Sequence, residues 1–83
     1  MRKEQKRNDP FLQALGEAIR RERESRGHTQ RFIAERSGIR PPELSNIEHG
    51  HTAISVLTLR RLAAALGCEA WELIWDADHI HEI

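Results

Sequence analysis

The sequence has no tyrosine and a single cysteine, Cys68. One thiol cannot close an internal disulfide, so a disulfide-stapled secreted framework is excluded and a reducing cytoplasm is the expected compartment. Long apolar runs are also missing. No stretch approaches the roughly 18 residues that span a bilayer, so no membrane partner is expected. The opening MRKEQKRNDP is basic but lacks the apolar segment of a secretory signal. There is no G-x-S-x-G elbow and no glycine-rich phosphate loop, and Ser25, Ser37, Ser45 and Ser55 each fit a helix end or a surface. An enzyme is therefore not expected. The metal-ligand residue types, His49-Gly50-His51, His79-Ile80-His81 and Cys68, form no C-x2-C or H-x3-H pair on a helix. No metal or other cofactor is expected, and a metal-responsive protein stays as a rival reading.

An excess of either charge is absent as well, with 13 Lys/Arg against 13 Asp/Glu. The neutrality hides an asymmetry. Residues 1–40 carry eleven basic against six acidic side chains, or +5, and residues 41–83 carry two against seven, or −5. Such a split points to one basic face. Pairs spaced i,i+4 on a solvated helix would account for much of Glu17 to Arg26.

What is present is helical patterning within one domain of 83 residues. A core this small is modest, so a partner subunit would help it. Residues 1–9 are polar and read as a loose basic arm, whose Arg2, Lys3, Lys6 and Arg7 could touch a polyanion backbone. Asp9-Pro10 starts a first helix running to about Arg26, with Leu12, Leu15 and Ile19 as its apolar stripe, Phe11 as an addition to it, and Gly27 as its stop. A second helix covers Gln30–Ser37 and a third Pro41–His49. A fourth, capped by Ser55, runs to Leu66 with Leu59, Leu62, Ala63 and Leu66 inward. A fifth spans about Ala70–Trp75, and 77–83 is left as a tail.

The centre of this order is TQRFIAERSGIRPPELSNIEHG, Thr29 to Gly50. Thr29 is a good N-cap. Ile33 and Ala34 lie at helical phase. Gly38 suits a left-handed stop, and Ile39 follows as a buried plug. Pro41 and Pro42 open the next helix, where missing amides cost little. Leu44 and Ile47 share its inner face, while Ser45 and Asn46 point the other way.

Gln30, Ala34, Gly38, Ile39, Leu44 and Ile47, closed by Glu48 and Gly50, resemble the helix-turn-helix of the phage repressor and Cro-like (Xre) regulators. The resemblance covers about Leu12 to Ile74. It implies an all-α, five-helix, lambda-repressor-like domain over residues 10–76 that binds double-stranded DNA as a homodimeric regulator, often a repressor. A phage repressor, a restriction-modification controller and an antitoxin remain equally open. In the family, the first two residues and the sixth of the third helix reach base edges, here Pro41, Pro42 and Asn46. Asn46 can pair bidentately with adenine, the prolines offer only apolar contact, and Glu43 either accepts from cytosine N4 or complements its own helix dipole. Gln30 matches a backbone-holding glutamine. Arg31 and Arg40 are placed to add charge, and Ser45, His49, His51 and Thr52 are grouped with them as backbone contacts. Arg23 and Glu48 stand where the family has an interhelical ion pair. A protein-interaction module that keeps the fold without the DNA surface is the rival suggested by Pro41, Pro42 and Glu43.

Two features fall outside that pattern. Trp71 and Trp75, four apart, share a face; they either cover the core edge or form a dimer surface. Phe32 stands where the family is usually polar, so Phe11, the arm or a partner chain is expected to cover it.

Overall fold

The computed structural model describes residues 9–79. The cationic arm residues Arg2, Lys3, Lys6 and Arg7, and His81 of the tail, lie outside the described residues. Five helices follow in order: α1 Pro10–Ser25, α2 Gln30–Ser37, α3 Pro41–Glu48, α4 Val56–Leu66 and α5 Ala70–His79.

Local chemistry sets the boundaries. Asp9 accepts from the Phe11 amide at 2.7 Å, and Pro10 opens α1 without needing its missing N–H. Thr29 Oγ1 accepts from the Phe32 amide at 3.0 Å, and Ser55 Oγ from the Thr58 amide at 3.0 Å. These hydroxyls satisfy amides that a helix start leaves orphaned. Gly38, at φ +76°, closes α2 in the left-handed region, and the Ile39 amide then donates back to the Ala34 carbonyl at 2.9 Å. That reversal drops Ile39 into the core and aims the chain at α3.

The core takes one face from every helix. Ile19 of α1, Ile33 of α2, Leu44 of α3, Leu62 and Leu66 of α4 and Leu73 of α5 are the largest fully buried side chains. Burying each contributes about 1.5–3 kcal/mol. α1 packs along α5 and across α3, while α2 packs on α3 and α4. Ala34 is fully buried and small, which allows the close α2–α3 crossing.

α5 corrects the expected boundary. It continues past Trp75 to His79, so residues 77–79 are helix and not tail. Ala77 is buried against the core, and the Trp75 and His79 rings stack at 3.8 Å. The polar run around Ala77 obscured this inward position. Phe32 has partners among the described residues, while residues 1–8 of the arm expected to cover it lie outside them. Its cover comes from His28, stacked at 4.6 Å, and from Arg36, 5.7 Å above the ring. The ring stays 42% exposed.

Among the described residues no helix is long and apolar enough to cross a membrane.

Candidate nucleic-acid interface

The turn between α2 and α3 leaves the N-terminal half of α3 outward. Arg40, Pro41, Pro42, Glu43 and Asn46 are all exposed there. Arg40, Pro42, Glu43 and Asn46 line one shallow cleft, closed on its far side by Thr52 from the loop after α3. The structure thus brings together residues expected to read bases with two expected to hold the backbone. Arg40 makes no side-chain cap at α3, and neither it nor Glu43 forms an ion pair with another described residue. Of the first three positions of α3 only Glu43 carries an amide, because Pro41 and Pro42 have none. Ser45 is half-buried, and its carbonyl accepts from His49 Nδ1 at 2.8 Å. That bond places the proton on Nδ1. His49 and His51 stack at 5.5 Å beside the cleft.

Behind this surface lies a buried polar network. Arg23 grips Glu48 with both arms of its guanidinium: Nε to Oε2 at 2.7 Å and Nη2 to Oε1 at 3.0 Å. Its Nη1 donates to the His28 carbonyl at 2.8 Å. Glu48 Oε1 also accepts from Gln30 Nε2 at 2.8 Å. Glu48 holds the arginine pKa above its usual value through that hydrogen bond, against the opposing effect of burial. The pair joins the end of α1 to the end of α3. Gln30 does not stand free: one of its side-chain donors is committed inward.

Four of the eleven cations of residues 1–40 lie outside the described residues, and those along α1 are paired. Arg20 bonds Glu17 and Glu24, Arg21 bonds Glu17, and Arg26 bonds Glu22, all along α1. The two arginines hold the Glu17 carboxyl below its usual pKa. Arg31, very exposed, reaches Glu35 at 3.4 Å. Arg36, Arg40, Arg60 and Arg61 form no ion pair with another described residue. Charge around the cleft thus comes from Arg40 rather than from α1.

Two glycines, Gly50 of the motif and Gly16, which the sequence reading passed over, set how closely α1 approaches this site. A Cβ at Gly16 would collide with the Ile47 and Glu48 carbonyl oxygens, and one at Gly50, where φ is +74°, would meet the Gln13 Cα at 2.7 Å. A glycine inside a helical pattern costs about 1 kcal/mol against alanine, which is the signal that Gly16 has a packing reason.

On the opposite side, Trp71 and Trp75 are 64% and 55% exposed, with Ile74 beside them. They border grooves between α1 and α5 lined by Glu22, Arg26, Glu72 and Asp76. Both rings are partly covered, and Trp75 also lines a groove with Ala18 of α1. Among the described residues no three His, Cys, Asp or Glu side chains converge into a metal site.

Two short helices crossing at a glycine turn, with a cleft on the second and a locked ion pair beneath, define a helix-turn-helix domain. The helix-turn-helix family model matches residues 19–70. An uncharacterized HTH-type transcriptional regulator, y4dJ of Sinorhizobium fredii, is 38% identical over 64 residues, covering 77% of this chain and 83% of that protein. The clp gene regulator ClgR from C. glutamicum superposes with a TM-score of 0.82 at 32% identity, over 86% of this chain and 92% of its own. The restriction-modification controller protein C.AhdI from Aeromonas hydrophila gives 0.74 at 31% identity, over 75% and 94%. The chain belongs to the Xre-like helix-turn-helix family of DNA-binding transcriptional regulators. Family and neighbours are regulators and not enzymes.

Proposed function

We propose that the chain acts in the cytoplasm as a homodimeric, repressor-like regulator that reads the major groove with α3. The observation that carries this reading is the shared cleft of Arg40, Pro42, Glu43, Asn46 and Thr52. It combines an exposed cation, a carboxylate and a carboxamide on one surface of α3 and the following loop. Asn46 offers both a donor and an acceptor for an adenine edge, Glu43 an acceptor for cytosine N4, and Pro41 and Pro42 apolar contact with a thymine methyl. Gln30, Arg31 and Arg40 address phosphates, joined by Ser45, His49, His51 and Thr52 around the loop. Such contacts set affinity and register but carry no sequence information.

Selection of bound sequences from a random duplex pool, followed by binding at several salt concentrations, tests the proposal. A recovered two-fold site and a steep salt dependence are expected. A flat salt response with no enriched sequence would instead favour a protein-interaction module. One observation points that way: Arg20, Arg21, Arg23, Arg26 and Arg31 are all engaged by glutamates of the same chain.

A further inference from the structure

Glu48 has more to do than neutralise Arg23. Its side chain is only 1% exposed and lies where three segments meet. Arg23 brings α1, and the Arg23 Nη1 bond to the His28 carbonyl fixes the turn that leads into α2. Gln30, the first residue of α2, brings the third donor to Oε1.

We propose that Glu48 is a positioning residue for the Gln30 carboxamide, so that the buried ion pair sets the orientation of a DNA-backbone contact at the start of α2. The inference rests on the DNA-binding reading above.

The physical argument is one of donor and acceptor matching. A carboxylate gripped by a guanidinium is an acceptor only. The Gln30 amide group must therefore face it, because the flipped rotamer would set two oxygens against each other. A carboxamide has two N–H donors that diverge, and Glu48 takes one of them. The second is directed away from the carboxylate. Gln30 is half-buried and opens an eight-residue helix, where Thr29 takes the Phe32 amide and the Gln30 and Arg31 amides have no partner within the helix. A phosphate oxygen that accepts from those amides can accept from the same side chain. Glu48 thus fixes a rotamer that would otherwise have to be ordered during binding. Immobilising a free side chain costs the equivalent of roughly twofold to tenfold in affinity.

The test is a double-mutant cycle read by binding to a mixed-sequence duplex. The variants are Gln30→Ala, the apolar exchange Arg23→Met with Glu48→Leu, and all three changes together. Well-packed apolar residues often replace a buried pair without loss of stability, which keeps the second background folded. Gln30→Ala should weaken binding about twofold to tenfold in the parent and have almost no effect in the apolar background. Equal effects in both backgrounds would overturn the inference while leaving the DNA reading intact. A parent protein that binds no duplex overturns both. The unaltered protein provides an independent check should the apolar exchange fail to fold. The Gln30 side-chain N–H₂ should show a rigid NMR order parameter, near about 0.85, without DNA. A value below about 0.6 would mean that Glu48 does not hold the group, and the inference fails.

Discussion

Arg23 and Glu48, twenty-five residues apart in sequence, meet in a two-armed contact of 2.7 and 3.0 Å between the end of α1 and the end of α3. Their side chains are 10% and 1% exposed, so neither has water as an alternative partner. Removing one partner leaves a buried charge unpaired. Arg23→Ala should lower stability by about 3–5 kcal/mol, read by urea denaturation. An unchanged midpoint would show that the fork contributes nothing. The surface pairs of α1 provide the contrast. Breaking Arg21–Glu17 should change stability by less than about 1 kcal/mol.

Gly16 sits under the same end of α3. The obstacles to a Cβ there are backbone carbonyls of Ile47 and Glu48, which cannot rotate aside as a flexible side chain would. Alanine normally stabilises a helix interior by about 1 kcal/mol over glycine. Here overpacking should reverse the sign, so Gly16→Ala is expected to destabilise by about 1–3 kcal/mol. The check is a shift of the unfolding midpoint; a gain in stability would refute the close approach.

Most of the helix plan was legible because each boundary carries a local signal. Thr29 and Ser55 cap, Gly38 and Gly67 stop, and Leu44 and Ile47 repeat at helical spacing. What stayed hidden depends on contacts distant in sequence. Ala77 lies in a polar run, and only its burial against the core shows that α5 continues. Gln30 carries the residue type of an outward contact, and nothing local shows that an acceptor eighteen positions away takes one of its two donors. Of the positive charge of residues 1–40, four cations lie outside the described residues, and along α1 i,i+4 geometry joins the arginines to their own glutamates. Phe32 was legible as an anomaly, though not that His28 would stack on it.

Cys68 is half-buried, and burial pushes its thiol up to about 11, aided by the nearby Glu22 and Glu72 carboxylates. The fold therefore disfavours the thiolate. The stability this contributes is fully present below the ordinary thiol pKa and is lost as pH rises towards 11. Reactivity follows the thiolate population. At pH 8 a thiol reagent should modify the folded protein on the order of a hundredfold more slowly than the denatured chain. Equal rates would mean that the side chain is open to water.

Trp71 and Trp75 present a wide aromatic surface that the described chain leaves in solvent. Tryptophan is enriched at protein interfaces. A two-fold dimer through this face, with recognition helices about 34 Å apart, would match successive turns of DNA. Trp71→Ala should shift sedimentation from dimer to monomer with little change in helix content, because the side chain is outside the core. A parent protein that sediments as a monomer at high micromolar concentration, with and without DNA, would sink the idea.

The manner of DNA reading makes the sharpest contrast within one cleft. Asn46 and Arg40 lie on the same surface of α3 but offer different chemistry. The Asn46 carboxamide can donate to and accept from a single base edge, whereas the Arg40 guanidinium is a cation suited to phosphates that look alike at every sequence. Their variants should fail differently. Asn46→Ala should cost about 1–3 kcal/mol on the selected operator and relax the preference at one base pair in each half-site. Arg40→Ala should weaken operator and random duplex alike and reduce the salt slope by roughly one unit. Binding of both variants to the operator and its single-base changes, across several salt concentrations, separates the two roles. If Asn46→Ala weakens every duplex equally, Asn46 holds the backbone. Discrimination would then fall to Glu43, to the apolar faces of Pro41 and Pro42, or to the sequence-dependent shape of the DNA.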